Sequence, residues 1–278
     1  SADSPAPGGA PAKEAATSPA PRPAPPPVRT PESIWADSLD LAAITPEQEM
    51  RLGAELNRFI LANNPVDPNG NIERLRESAD PLLKFVNRPE IRYTFNILKS
   101  DQINAFSLPG GYIYVSSGIF AMVGEDEDPE SDYVLQFALA HEIAHVDLKH
   151  TLNLIAPQAE EAKKKGIDVV RQCLMPVVAA YPDNMEFEAD AWAFDRMTTR
   201  LEPRRTRREA LMFLIQFEVF ATKNGFRNGR FVFAPNLGLS LVDNHYRAHP
   251  AAWDRLKRLK VLAGPLAGTA TKPAAKPQ

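Results

Sequence analysis

The sequence predicts an α+β fold, mostly helical around a small three-stranded sheet. From Pro46 to Leu262 apolar residues recur at helical spacing in most stretches, several of which open on a capping signal. Between Ile91 and Ser116 the period changes to two, giving three short runs at 91–98, 103–108 and 111–116. One helical stretch, Phe137 to Val146, is apolar on every side yet carries two histidines and a glutamate, which a buried helix keeps only for a reason.

The elements follow in order. Residues 1–33 are dominated by Pro and Ala and lack the apolar residues that offset ordering entropy, so they read as a disordered tether. Two roles suit it: a stalk holding the domain off a membrane surface, or an interdomain linker. The folded domain spans 34–262, and 263–278 is again a Pro/Ala tail. Thr45-Pro46-Glu47-Gln48 is a helix start, with Thr45 as cap and Gln48 in the capping-box position, and this helix runs to about Ala62. A second helix covers 71–86. Pro109-Gly110-Gly111 turns the chain between the last two strands. A short helix follows from Gly118 to Val123, and Asp128-Pro129-Glu130 starts the central helix, with acids 125–128 suited to the positive end of its dipole. Those acids lack the spacing of a calcium loop. Pro157 is expected to end the helical stretch after His150, with a charged helix over 158–180 beyond it. Asp183 or Asn184 caps the next, Thr206 starts another, and a last one ends at Leu262.

Composition excludes several classes. The 278 residues are 44% hydrophobic, enough for a substantial core in one or two domains. A net charge of -3 gives no basic footprint for nucleic acid. No run of about 18 apolar residues spans a bilayer. The single cysteine, Cys173, allows no internal disulfide and reads as a buried thiol. The chain opens without a charged segment and apolar stretch, consistent with a cytoplasmic protein or with a targeting peptide already removed.

His141-Glu142-Ile143-Ala144-His145 is the H-E-x-x-H arrangement. Residues four apart on a helix are turned only about 40° from each other, so both imidazoles reach one point beside it. There they hold Zn²⁺, while Glu142 takes a proton from a water whose pKa the metal lowers to about 7. A catalytic zinc keeps three protein ligands and one open position. Glu186 and Asp190 lie four apart on one face, with Ala189 and Ala193 allowing a close helix crossing. Glu186 is then the third ligand and Asp190 accepts from a ligand imidazole; the competing reading is a solvated acidic face. Glu188 points to the far side, and His150, five residues past the motif and off its metal-facing stripe, is a structural hydrogen bonder.

His141-Glu142-Ile143-Ala144-His145 with Glu186-Phe187-Glu188-Ala189-Asp190 resembles the metallopeptidase family of the CAAX prenyl endopeptidases, the bacterial heat-shock protease HtpX and the mitochondrial Oma-type proteases. Asn104 to Ile113 is similar to the family's strand-turn-strand, and His249-Pro250 with Arg255 to its late His-Pro and arginine. The resemblance covers roughly Pro46 to Leu262. It implies a zincin-like (gluzincin) domain with one zinc, His141, His145 and Glu186 as ligands, Glu142 as general base and Asp190 behind a ligand. It nominates His249 as oxyanion donor, with Arg255 orienting it or adding charge. The structural role competing for His249 is entry into a helix before Pro250; His245 and Tyr246 are nearby alternatives as donor, and a mobile His249 would instead block the open zinc position. Asn104, Ala105, Gly110, Gly111, Tyr112 and Ile113 are expected to bind substrate, an extended polypeptide lying along an edge strand near 111–115. Lacking the membrane spans of many relatives, the chain resembles the branch found in the bacterial periplasm or cell envelope, with quality-control proteolysis as its function; the cytoplasm is the alternative compartment. Two rival functions share the scaffold: a chaperone-like assembly factor with a latent zinc site, and a metal-dependent hydrolase of non-peptide bonds.

Overall fold

The computed structural model describes residues 44–101, 103–123, 129–166, 172–174, 181–223 and 252–263. Helix α1 (Pro46–Asn63) begins as the sequence dictates. Thr45 Oγ1 accepts from the Gln48 amide at 3.3 Å, and the Thr45 amide donates to Gln48 Oε1 at 2.9 Å. Its stripe of Leu52, Leu56 and Ile60 is buried. Helix α2 (Ile72–Leu83) is capped by Asn71, whose Oδ1 accepts from the Arg74 amide at 3.0 Å. It ends three residues earlier than the apolar pattern suggests.

Strands β1 (Thr94–Leu98), β2 (Ala105–Leu108) and β3 (Tyr112–Ser116) form one sheet in the order β1-β3-β2. β3 runs parallel to β1, with Thr94 opposite Tyr112, and antiparallel to β2, with Ala105 opposite Val115. The alternation that starts at Ile91 becomes strand only at Thr94, because its partner β3 begins at Tyr112. The turn before β3, Pro109–Gly111, needs its glycines. Gly110 has φ 75°, and a Cβ there would stand 2.7 Å from Met50 Cα; at Gly111, φ is 88° and a Cβ would stand 2.4 Å from the Arg92 carbonyl oxygen. This order corrects one expectation. Residues 111–115 form the turn's end and the central strand, whose backbone is paired on both sides; the strand with an unpaired side next to the site is β2, among the described residues.

After α3 (Gly118–Val123) comes α4 (Pro129–Asp147), the axis of the fold. It packs against α2, β2 and the later helices, and its apolar residues from Tyr133 to Val146 are all buried. A helix apolar all round is a core helix, and each such side chain contributes about 1.5–3 kcal/mol by leaving water. The expected acidic cap at 125–128 lies outside the described residues. At the far end Asp147 faces the unfavourable pole of the helix dipole. Four donors offset that: the Asn87 amide (2.7 Å), Asn87 Nδ2 (2.7 Å), the Arg88 amide (3.0 Å) and Trp192 Nε1 (2.9 Å).

The chain then breaks for two residues. Lys149 adopts φ 61°, a left-handed conformation, and a new helix, α5 (His150–Lys165), starts at once. Pro157 sits inside α5 rather than ending a helix. Both Pro157 and Asn153, whose carbonyl loses its partner, are exposed, so water can satisfy that carbonyl. Most of the expected 158–180 helix past Gly166 lies outside the described residues, although Cys173 is buried as expected. Helix α6 (Asp183–Asp195) has Pro182 at its cap position, and neither Asp183 nor Asn184 caps it. Helix α7 (Arg207–Lys223) opens on Thr206, whose Oγ1 accepts from the Glu209 amide at 3.2 Å while its own amide donates to Glu209 Oε2 at 2.6 Å. Helix α8 (Ala252–Ala263) closes the described fold. No described helix is long and apolar enough to cross a membrane.

Candidate metal centre

The site lies where α6 crosses α4. Ala140 and Ala144 of α4 and Ala189 and Ala193 of α6 are fully buried, and their small side chains let the two helices approach closely. The crossing places Glu186, itself fully buried, beside the two imidazoles. His141 Nε2 and His145 Nε2 are 3.1 Å apart; Glu186 Oε2 is 3.3 Å from the first and Oε1 3.8 Å from the second. One ligand atom from each of the three residues lies within 4.8 Å of the others.

This donor set fits a divalent metal. Two nitrogens bound at 2.0–2.1 Å around a tetrahedral ion stand roughly 3.3–3.4 Å apart, close to the separation found. Charge points the same way: Glu142, Glu186 and Asp190 are buried with Arg255, three carboxylates against one guanidinium, and a divalent cation supplies the missing two charges.

Behind His141, Asp190 Oδ1 lies 3.0 Å from Nδ1, the place expected for it. Arg255 of α8 grips Asp190 with a fork, Nε to Oδ2 at 2.8 Å and an Nη to Oδ1 at 2.6 Å, and stands 3.8 Å from Glu186 Oε2. Burial alone would raise the Asp190 carboxyl, but the Arg255 charge and fork overcome it and hold it below the usual carboxylate range. For His141, burial and Arg255 favour the neutral ring, yet hydrogen bonds to Asp190 and Glu186 outweigh them, and without a metal its pKa is pushed up to about 9.

Behind His145 the structure places residues outside the predicted set. His150 Nδ1 is 3.1 Å from His145 Nδ1, and His150 Nε2 is 3.1 Å from Glu188 Oε2. The Tyr181 ring stacks on His145 with centroids 3.7 Å apart and planes 17° from parallel. Burial is the largest influence on His150, lowering its pKa despite Glu188. Glu188 therefore does not point away from the site; it turns back to His150. Along an unbroken helix His150 would lie about 140° round from His145, and the left-handed Lys149 is what returns it. Nothing in Asp147-Leu148-Lys149 announces that turn, since neither Gly nor Asn stands there.

Glu142 accepts from Ser107 Oγ of β2 at 3.0 Å. It lines a cleft with His141, Arg255, Asn104, Ala105 and the apolar side chains of Phe213 and Phe217. Of the residues expected to meet substrate, Asn104 and Ala105 are on this wall. Gly110 and Gly111 pack instead on α1 and Arg92, and Ile113 is fully buried in the core; Tyr112 packs against the cluster around α1. Among these four, the structure gives sheet-building and packing contacts. His249 lies outside the described residues.

A buried helix presenting two histidines and a glutamate to a carboxylate from a second helix defines a metallopeptidase-type centre. The chain belongs to peptidase family M48, whose model matches residues 70–263. It is similar, at 28% identity over 140 residues, to the beta-barrel assembly-enhancing protease of Yersinia pestis. It is 31% identical, again over 140 residues, to a Vibrio cholerae serotype O1 protein provisionally given the same name. Each match takes in 50% of this chain but only 27% and 28% of the relative, so the chain spans little more than a quarter of the curated proteins it matches.

Proposed function

We propose that this protein is a zinc-dependent endopeptidase of gluzincin type that cleaves unfolded or flexible polypeptides. The observation supporting it is the convergence of His141, His145 and Glu186 from two helices, with Glu142 on the wall of a cleft beside them. Held by those three residues, a zinc ion would supply Lewis acidity towards the scissile carbonyl and towards water. Glu142, with one carboxylate oxygen held by Ser107, removes the water's proton and passes it to the departing amine. Asp190 keeps His141 oriented, and Arg255 holds Asp190 in place. His249 is assigned the second hydrogen bond to the oxyanion, so His249→Ala lowers cleavage; a rise would identify it instead as a block on the zinc.

Substrate lies extended along the unpaired side of β2, adding backbone hydrogen bonds that depend little on sequence. The domain boundaries read from composition, a tether over 1–33, a catalytic domain over 34–262 and a tail over 263–278, place the peptidase at the end of a stalk that could tie it to a membrane. The relatives are named for enhancing beta-barrel assembly, which supports the proposed role in protein quality control; a location in the periplasm or cell envelope is part of the same proposal.

The test is metal analysis with casein digestion by wild type, wild type plus chelator, and Glu142→Gln. One zinc per chain is expected, with cleavage falling by about 10²–10⁴-fold in the variant. Undiminished cleavage by Glu142→Gln would sink the reading. Stoichiometric zinc with no cleavage would favour a chaperone-like role on the same scaffold.

A further inference from the structure

The contacts behind His145 do not resemble those behind His141, and together with a metal at Nε2 they fix which ring nitrogen carries a proton. To offer a lone pair from Nε2, the atom facing His141 and Glu186, His145 must keep its proton on Nδ1. That N–H points at His150 Nδ1, 3.1 Å away, which must then accept. His150 is left with its proton on Nε2, and that nitrogen lies 3.1 Å from Glu188 Oε2, an acceptor. The opposite arrangement fails at both ends. If His150 donated from Nδ1, His145 would carry its proton on Nε2, where a metal must bind, and the lone pair of His150 Nε2 would face a carboxylate oxygen. With Nε2 of His145 reserved for a metal, one set of tautomers satisfies the contacts of both rings behind it.

We propose that His150 and Glu188 form a hydrogen-bonded chain that fixes the tautomer and orientation of His145 for metal binding, with His150 as a positioning residue and Glu188 as its outer anchor. The proposal rests on the metal reading of the site. One further contact limits the ring's freedom: Tyr181 stacks on one face of His145; Thr151 Oγ1 donates to the His145 backbone carbonyl at 3.2 Å. The side chain of His150 is 4% exposed and that of Glu188 60%, so the chain runs from the buried metal ligand to solvent. Partners of a ligand imidazole tune metal affinity through ligand basicity and aim, and their loss typically costs about 10–100-fold.

The experiment measures zinc affinity rather than turnover. Metal-free wild type, His150→Leu, His150→Asn, Glu188→Gln and the Leu/Gln double variant compete for zinc against a fluorescent chelator. His150→Leu, which removes the acceptor, is expected to weaken binding by about 10–100-fold. His150→Asn, which places an oxygen near the former Nδ1, should recover most of that. Glu188→Gln should cost less, below about 10-fold, and should add nothing in the Leu background. The proposal is overturned if His150→Leu binds like wild type, if Leu and Asn lose affinity equally, or if the Glu188 effect is unchanged when His150 is absent. Should His150→Leu not fold, the tautomer of His150 in the zinc-loaded wild type, read from long-range ¹H–¹⁵N spectra, decides alone: a proton on Nδ1 rather than Nε2 overturns the proposal. Failure of wild type to bind one zinc would instead remove the metal reading beneath it.

Discussion

The two imidazoles of the site are held by opposite means. His141 is backed by a fully buried ion pair, Asp190 with Arg255, drawn from helices far along the chain. His145 is backed by a neighbour five residues away, His150, whose outer contact is a carboxylate in solvent. The difference is one of cost and permanence. Buried charges are expensive to desolvate and cannot lose a partner cheaply, so the Asp190–Arg255 pair locks α8 onto α6 and α4. A chain that ends in water forfeits little when its outer member goes, because solvent replaces it.

That contrast can be broken at several points. Arg255→Leu leaves Asp190 buried without its cation, and a stability loss of about 3–5 kcal/mol is expected in denaturant unfolding. A loss under about 1 kcal/mol would mean that the fork is not what holds this side together. Asp190→Asn keeps the shape but weakens the acceptor behind His141, and chelator competition should show zinc affinity falling by about 10–100-fold. The pH dependence sharpens the same side. Metal-free His141, raised to about 9, holds a proton across neutral pH, whereas metal binding requires the neutral ring. Zinc affinity should therefore climb by about tenfold per pH unit up to roughly pH 9 and level off above it. A flat profile over pH 7–9 would show that Asp190 and Glu186 do not hold that proton. The smallest effect belongs to the other side: Glu188→Ala should leave the stability of the metal-free protein within about 0.5 kcal/mol. If it destabilised as Arg255→Leu does, the contrast between the two sides would collapse.

Much of the candidate metal centre was readable in advance because its signals are local. His141, Glu142 and His145 share a helix face by spacing alone, and the Glu186/Asp190 pair shares another, four residues apart. The caps at Thr45 and Thr206 are equally local, each needing only three residues of reach. Reading failed where the chain leaves a regular period. Pro157 looked like a stop because proline costs a hydrogen bond, yet the carbonyl it orphans is at the surface. The turn and strand over 111–115 looked like an edge because alternation does not say how strands are ordered.

The sequence by itself determined the mostly helical class with its three strands, the helix starts at Thr45 and Thr206, and the choice of His141, His145 and Glu186 as candidate ligands, since these follow from which neighbours along one element face the same way. Tertiary structure alone decided that β3 is central, that Arg255 closes on Asp190, and that a left-handed Lys149 swings His150 behind His145. The physical reason is shared by all three. Strand order, a buried ion pair and an unfavourable backbone conformation are each held in place by packing against distant parts of the chain, and no periodicity within a single segment records that.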